Sequence, residues 1–142
     1  MPAYDPNNPF AKILRGEWPS HRVHEDEKTI AIMDIMPRAP GHVLVIPKAP
    51  SRNILDVAPE DLAAVAAVTQ NVARAVVAAL GADGVTIQQF NESAGGQVVF
   101  HLHVHVIPRH EGVAMKPHTG ERAPDAELAV LAGKIRAALD AA

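Results

Sequence analysis

The sequence predicts an α+β domain, a mostly antiparallel sheet packed by one long helix and a C-terminal helix. Three observations predict it. Short β-branched runs follow one another early in the chain, joined by connections too short for a crossover helix. A long stretch with apolar residues at helical spacing separates them from further strand-like runs. A second amphipathic stretch closes the chain, so helices and strands are grouped rather than alternating.

Taken in order, residues 1–9 are irregular, because Pro2, Pro6 and Pro9 break any regular pattern. Phe10 to Arg15 is a short helix that stops at Gly16. Arg22–Glu25 and Thr29–Met33 are strands flanking the charged turn Glu25-Asp26-Glu27-Lys28. Pro37, Pro40 and Gly41 stiffen the next loop, and His42-Val43-Leu44-Val45-Ile46 is a strand stopped by Pro47. The long helix runs from Pro59 to Leu80. Pro59 suits its first turn, Glu60 and Asp61 complement its dipole, and Gly81 ends it. Its stripe is Leu62, Val65, Thr69, Val72, Val76 and Leu80.

Val85–Phe90 reads as a strand, Asn91–Gln97 as a glycine-rich loop, and Val98–Ile107 as a strand ended by Pro108. Residues 110–124 are irregular, and Asp125–Ala142 forms the second helix, with Leu128, Leu131, Ile135 and Leu139 on one side. With no repeat or long linker, the expectation is one domain over 1–142. A core spans about 8–110 and a tail with its helix covers 111–142.

Composition narrows the function. The chain has 142 residues, 48% apolar and 20% charged, with a net charge of −3. There is no cysteine, which excludes a disulfide framework and a thiolate metal site. Lys and Arg form no stripe, so neither DNA nor RNA is an expected partner. No apolar run approaches the ~20 residues of a membrane span, and residues 1–10 lack the apolar stretch of a secretory signal. The expectation is a cytoplasmic protein with no membrane partner.

The chemistry concentrates in Phe100-His101-Leu102-His103-Val104-His105-Val106-Ile107. Side chains alternate faces along a strand, so His101, His103 and His105 share one face and Leu102, Val104 and Val106 the other. The apolar face can pack under the long helix, leaving the histidine face for something else. A neutral imidazole is a competent nucleophile near pH 7. A neighbouring ring that donates can stabilise charge developing on phosphoryl oxygens. Alternating histidines can also chelate zinc, with His42 as a further ligand. Asp34 can accept two hydrogen bonds from a ribose diol or cap the turn before Pro37. The two glycines before the histidines let backbone approach an anion closely. His118, in Lys116-Pro117-His118, is expected to be exposed, with an approach to the site from the tail as the alternative.

The pattern His, apolar, His, apolar, His, apolar, apolar resembles the motif of the histidine triad (HIT) family, particularly its bacterial HIT-like members and its purine nucleoside phosphoramidase branch. Further blocks agree in order. They are Ile13-Leu14-Arg15-Gly16-Glu17, Asp34-Ile35, Ala39-Pro40-Gly41-His42 through Pro47-Lys48, and Asn91 with Gly95-Gly96-Gln97.

The resemblance implies a HIT-like fold and an enzyme, a hydrolase or transferase that cleaves a purine (adenosine) nucleotide such as a phosphoramidate at its α-phosphate. His103 would be the nucleophile, forming a nucleotidyl-histidine that water cleaves. His105 would contact the phosphate, and His101 and His42 would support the site. Asp34 would hold the ribose, Ile35 the base, and Asn91, Gly96 and Gln97 the phosphate or leaving group. It implies a homodimer whose sheet spans both subunits, with no cofactor and no metal in the chemistry. Relatives carry a structural zinc near the N-terminus, but the corresponding positions here hold Asn8, Ala11 and Pro50 beside His101, so no structural zinc is expected. Val98 stands where the phosphoramidase branch has a hydroxyl. Dinucleoside polyphosphate hydrolysis, or nucleotide binding with vestigial catalysis, are the alternatives.

Overall fold

A computed structural model describes every residue of the chain except Thr119. The first helix, α1 (Pro9–Leu14), starts where Asn8 Oδ1 accepts the Ala11 N–H at 2.9 Å and Pro9 needs no amide partner. Strands β1 (Arg22–Glu25), β2 (Thr29–Met33) and β3 (Val43–Pro47) then form an antiparallel meander. Helix α2 (Pro59–Leu80) has the predicted bounds, and Gly81 ends it in the left-handed conformation at φ 63°. Strands β4 (Gly84–Gln88) and β5 (Val104–Arg109) and helix α3 (Asp125–Asp140) complete the fold.

The strands lie in the order β1-β2-β3-β5-β4 and every pairing is antiparallel. This is the α+β arrangement predicted. The sheet buries both faces, which is why β2 and β3 read as continuous apolar runs rather than as alternating ones. On one face Ala31, Met33, Val43, Val45, Val104 and Val106 pack against Val65, Val72 and Val76 of α2 and Leu128 and Ile135 of α3. On the other, Ile30, Ile32, Leu44 and Ile46 pack with Phe10 and Ile13 of α1.

The strand expected over Val98–Ile107 is corrected. Its ladder starts only at Val104, and it continues through Pro108 to Arg109. The cause is Pro47. The register Val45↔Val104 would set Pro47 opposite Leu102, and a proline has no N–H to donate. The Leu102 N–H instead reaches the Ser51 carbonyl at 2.9 Å, and the chain leaves the sheet. At its other end β5 has only β4 beside it, so Pro108 is accommodated.

By length and composition α2 could cross a membrane, with a mean hydropathy of 1.5. Its valine stripe is nonetheless buried on the sheet, and its outer face is small and mixed, with Ala63, Ala66, Ala67, Gln70, Arg74, Val77 and Ala78 exposed.

Gly41 delivers the chain into β3. It sits at φ +90°, and a Cβ there would lie 2.2 Å from Leu80 Cδ1 and 3.3 Å from Pro108 Cγ. Gly41→Ala is expected to cost about 1–3 kcal/mol, from the strained φ and the displacement of Leu80. Urea unfolding of the variant checks this, and an unchanged midpoint would contradict it.

Candidate active site

The face of the sheet opposite α2 opens into a cavity of about 780 Å³. Its apolar lining includes Ile13, Trp18, Ile32, Ile35 and Leu44, the last paired with His105. His103, His105, His118 and Phe90 cluster as its histidine end, with Gly96 against Phe90. Val98 and Asp34 also line the cavity. The Trp18 ring is covered by the Lys12 ammonium at 4.7 Å.

The two ends of β3 and β5 explain how the histidines are held. His105 lies on the ladder opposite Leu44, on the cavity face, while Val104 and Val106 point to the α2 side. His101 and His103 precede the ladder and are fixed by other contacts. The His101 ring donates Nε2–H to the Pro47 carbonyl at 2.8 Å, the carbonyl that the interrupted ladder leaves free. Its Nδ1 accepts the Tyr4 hydroxyl at 2.7 Å. With both nitrogens engaged and no exposure, His101 does not line the cavity. The expectation of three rings in one pocket is therefore corrected to two, with His101 behind them.

His103 donates Nδ1–H to the His101 carbonyl at 2.7 Å. A carbonyl can only accept, so this bond sets the tautomer and leaves the Nε2 lone pair available. The ring stands edge-on to Phe10 at 4.8 Å and to His105 at 5.0 Å.

A second relay orients His105. The Arg38 backbone N–H donates to His42 Nδ1 at 3.0 Å, so His42 carries its proton on Nε2. That proton faces His105 Nδ1 at 2.9 Å, and the His105 proton must therefore sit on Nε2. Among the described residues this buried Nε2 has no hydrogen-bond partner, on a ring that lines the cavity. An orphaned buried donor of this kind carries a desolvation cost that an anion would relieve. His42 itself is fully buried behind His105, and Asp34 Oδ2 lies 3.5 Å from its Nε2.

Metal binding fits poorly at both places where donors gather. Asp34, His42 and His105 offer ligand atoms within 4.8 Å of one another, but the two nitrogens already share a proton and His42 Nδ1 is taken by Arg38. At the N-terminus, Asn8 is occupied as a helix cap, with its Nδ2 on the Asp5 carbonyl at 2.7 Å. Both nitrogens of His101 are bonded too, and Ala11 and Pro50 offer no ligand. The residues of this chain do not fit a structural zinc.

The loop before the histidines differs from expectation. Gln97 is buried, accepting from the Glu92 N–H and Asn53 and donating to the Arg52 and Val99 carbonyls. Asn91 bonds the Ile54 N–H and the Gln89 side chain. Neither lines the cavity, so both are corrected from ligand contacts to braces. Arg52 grips Glu92 through two nitrogens at 2.7 and 2.9 Å, holding it at φ 62°. The N–H groups of Gly95, Gly96 and Gln97 turn inward to the Glu92 and Ser93 carbonyls. Gly96 contributes room instead. It sits at φ +94°, where a Cβ would press on Phe90 at 3.2 Å.

Asp34 does cap its turn, accepting the Met36 N–H on Oδ1 at 2.9 Å, while also lining the cavity beside Ile35. Sequence reasoning missed Phe10, Trp18, Phe90 and Arg38. It also placed His118 in solvent, whereas its ring lies 5.2 Å from that of His105 and 5.3 Å from Phe90. No periodic signal surrounds His118, and only the fold of the tail brings it in.

Burial holds these imidazoles neutral. Desolvation is the largest cause for His42, His103 and His105, lowering their pKa values to about 3, 4 and 2. It also raises the Asp34 pKa to about 6. An imidazole depressed below 6.5 binds fewer protons folded than unfolded, so its stabilising effect is complete above pH 6.5 and lost on acidification. At pH 5 each such ring costs about 2 kcal/mol, while Asp34 returns about 1 kcal/mol because its folded pKa is raised. Stability is expected to fall by several kcal/mol from pH 7 to pH 5. A urea midpoint that stays level over that interval would contradict neutral, buried rings.

Residues 15–112 match the HIT domain. The chain is 54% identical to a HIT-like protein from Bartonella henselae, described as involved in cell-cycle regulation. That crystal structure superposes with a TM-score of 0.93 over 96% of this chain and 99% of that one. A zinc-bound histidine triad protein from Mycobacterium smegmatis is 39% identical, with a TM-score of 0.85 over 95% and 94% of the two chains. The adenylylsulfatase HINT3 of Arabidopsis thaliana is 38% identical over 102 residues, 72% of this chain, which spans about half (52%) of the plant protein. Fold, motif and relatives agree, and the chain belongs to the histidine triad family, which includes nucleotide hydrolases and transferases.

Proposed function

We propose that the protein cleaves an adenosine or other purine nucleotide at the α-phosphate, through a covalent bond between phosphorus and His103 Nε2. The observation that carries this reading is the tautomer pair. His103 has its lone pair free, and His105 has an unpartnered N–H on a ring beside it, at 5.0 Å between centroids. One ring can attack while the other donates to the phosphoryl oxygen on which charge builds. The apolar lining of the cavity, Ile35 included, suits a purine, and the Asp34 carboxylate, which also lines the cavity, can accept from a ribose hydroxyl. Gly96 keeps the phosphate end open. His101 and His42 position the reacting pair without touching substrate.

In the first step the Nε2–phosphorus bond forms as the bond to the leaving group breaks. Water then attacks phosphorus and releases the nucleotide and neutral His103. The leaving group is a nitrogen in a phosphoramidate, or an oxyanion. The adenylylsulfatase relative supports an adenylyl group with an acidic leaving group as the second reading.

A homodimer is part of the proposal. Of the two sheet edges, β1 is covered by α3, whose Arg136 bonds the Arg22 carbonyl at 2.7 Å. The β4 edge is open, with Ile87 48% exposed. An open edge strand is a template for pairing.

Mass spectrometry of enzyme quenched during turnover of adenosine 5′-phosphoramidate is expected to find an adenylyl adduct on His103. His103→Ala should lose on the order of 1,000-fold or more in kcat/KM while still binding AMP. Turnover without an adduct, or activity that survives the substitution, would refute the nucleophile. Light scattering should give a dimer mass that Ile87→Lys shifts to that of a monomer. A monomeric wild type at micromolar concentration would remove the interface.

A further inference from the structure

The histidine end of the cavity holds one imidazole that lies outside the motif. His118 lies between two anchored residues, Lys116 and Ala123. On one side the Lys116 N–H donates to the Arg38 carbonyl at 2.8 Å, and Arg38 Nε donates to the Lys116 carbonyl at 2.9 Å. Arg38 is itself pinned to Gln88 Oε1 at 2.9 Å. On the other side the Ala123 N–H donates to the Ile35 carbonyl at 2.8 Å. Between these ties the His118 ring stands edge-on to Phe90 and tilted against His105. It lines the cavity and keeps partial exposure, whereas His103 and His105 are buried.

We propose that His118 is the group that protonates the leaving atom. The inference rests on the nucleotide-cleaving function proposed above. The neighbours Phe90, Gly96 and Val98 carry no labile side-chain proton. The His103 proton is held by the His101 carbonyl, and the His105 N–H is the donor placed for the phosphoryl oxygen. An amine expelled from phosphorus leaves as an anion unless a proton arrives with it, so a phosphoramidate needs such a donor.

The balance is simple. As His103 Nε2 bonds to phosphorus, the P–N bond of the substrate breaks and its electron pair takes a proton from the His118 imidazolium. The products are a neutral amine, neutral His118 and adenylylated His103. In the return step water bonds to phosphorus and gives a proton to His118, and the His103–phosphorus bond breaks. The groups that set the His118 charge are His105 on β5, His42 and His103 behind it, and Arg38 in the loop before β3. Partial burial and the Arg38 charge lower its pKa. A bound phosphate anion acts in the opposite direction.

The test compares two substrates that differ only in whether the leaving group needs a proton. They are adenosine 5′-phosphoramidate and the p-nitrophenyl ester of AMP, assayed with wild type, His118→Ala and His118→Gln. The readout is kcat/KM, which reports the steps through departure of the leaving group. His118→Ala should lose about 100-fold on the phosphoramidate, and at least tenfold less than that on the ester. His118→Gln, which can donate a hydrogen bond but not a proton, should behave like His118→Ala, and added imidazole should partly restore the alanine variant. Equal losses on both substrates, or no loss, would overturn the acid role. If the wild type cleaves neither substrate and forms no adduct on His103, the underlying function fails as well, which is a separate outcome. Thermal unfolding and AMP binding of both variants show whether the fold and the cavity are intact.

Discussion

Pro47 lacks the amide hydrogen that the β3–β5 ladder needs opposite Leu102, and the active surface is built in the gap this leaves. The unpaired Pro47 carbonyl takes the His101 ring. The His101 backbone, freed from the sheet, turns its carbonyl to His103. A regular ladder would engage that carbonyl or direct it between strands, and His103 would have no partner to settle its tautomer. The free Nε2 lone pair of His103 is thus a consequence of one missing N–H. Tyr4 adds a hydroxyl to the remaining nitrogen of His101, so the support is saturated before any substrate arrives.

The electrostatic design follows from the same saturation. Three buried imidazoles in contact would repel if protonated. Donors on an imidazole nitrogen oppose protonation of two of them, Arg38 N–H on His42 and His42 on His105, whereas burial keeps His103 neutral against the His101 carbonyl, which by itself favours the charged ring. Two relays that start on different loops leave an acceptor nitrogen on His103 beside a donor nitrogen on His105. Neutral rings alone do not distinguish the acceptor nitrogen from the donor nitrogen. The backbone groups at their far ends do.

Much of this fold was legible in the sequence. The bounds of α2, the strand pairs Arg22–Glu25 and Thr29–Met33, and the alternation of Val104 and Val106 against His105 all follow from local pattern. What was not legible depended on long-range partners. The alternation rule put His101 with His103 because nothing local announces that Pro47 interrupts a ladder more than fifty residues away. Gln97 reads like a ligand contact from its place before the triad, but Arg52, Asn53 and Glu92 absorb its amide, and none of them is near in sequence except Glu92. His118 lies in a segment with no periodicity, and its position depends on Arg38 and Ile35, two loop residues on the other side of the sheet order.

Asp34 shows how the site couples binding to charge. Its carboxyl holds one hydrogen bond, from Met36, and is otherwise poorly solvated, which lifts its pKa to about 6. Near it the His105 N–H lacks a partner among the described residues. A ribose diol supplies two donors to the first and a phosphate oxygen supplies an acceptor to the second. On the proposed function one nucleotide would engage both groups, whose ligand atoms lie within 4.8 Å of one another. Those polar groups, rather than the size of the cavity, would then carry specificity, since apolar walls alone distinguish one flat base from another only weakly.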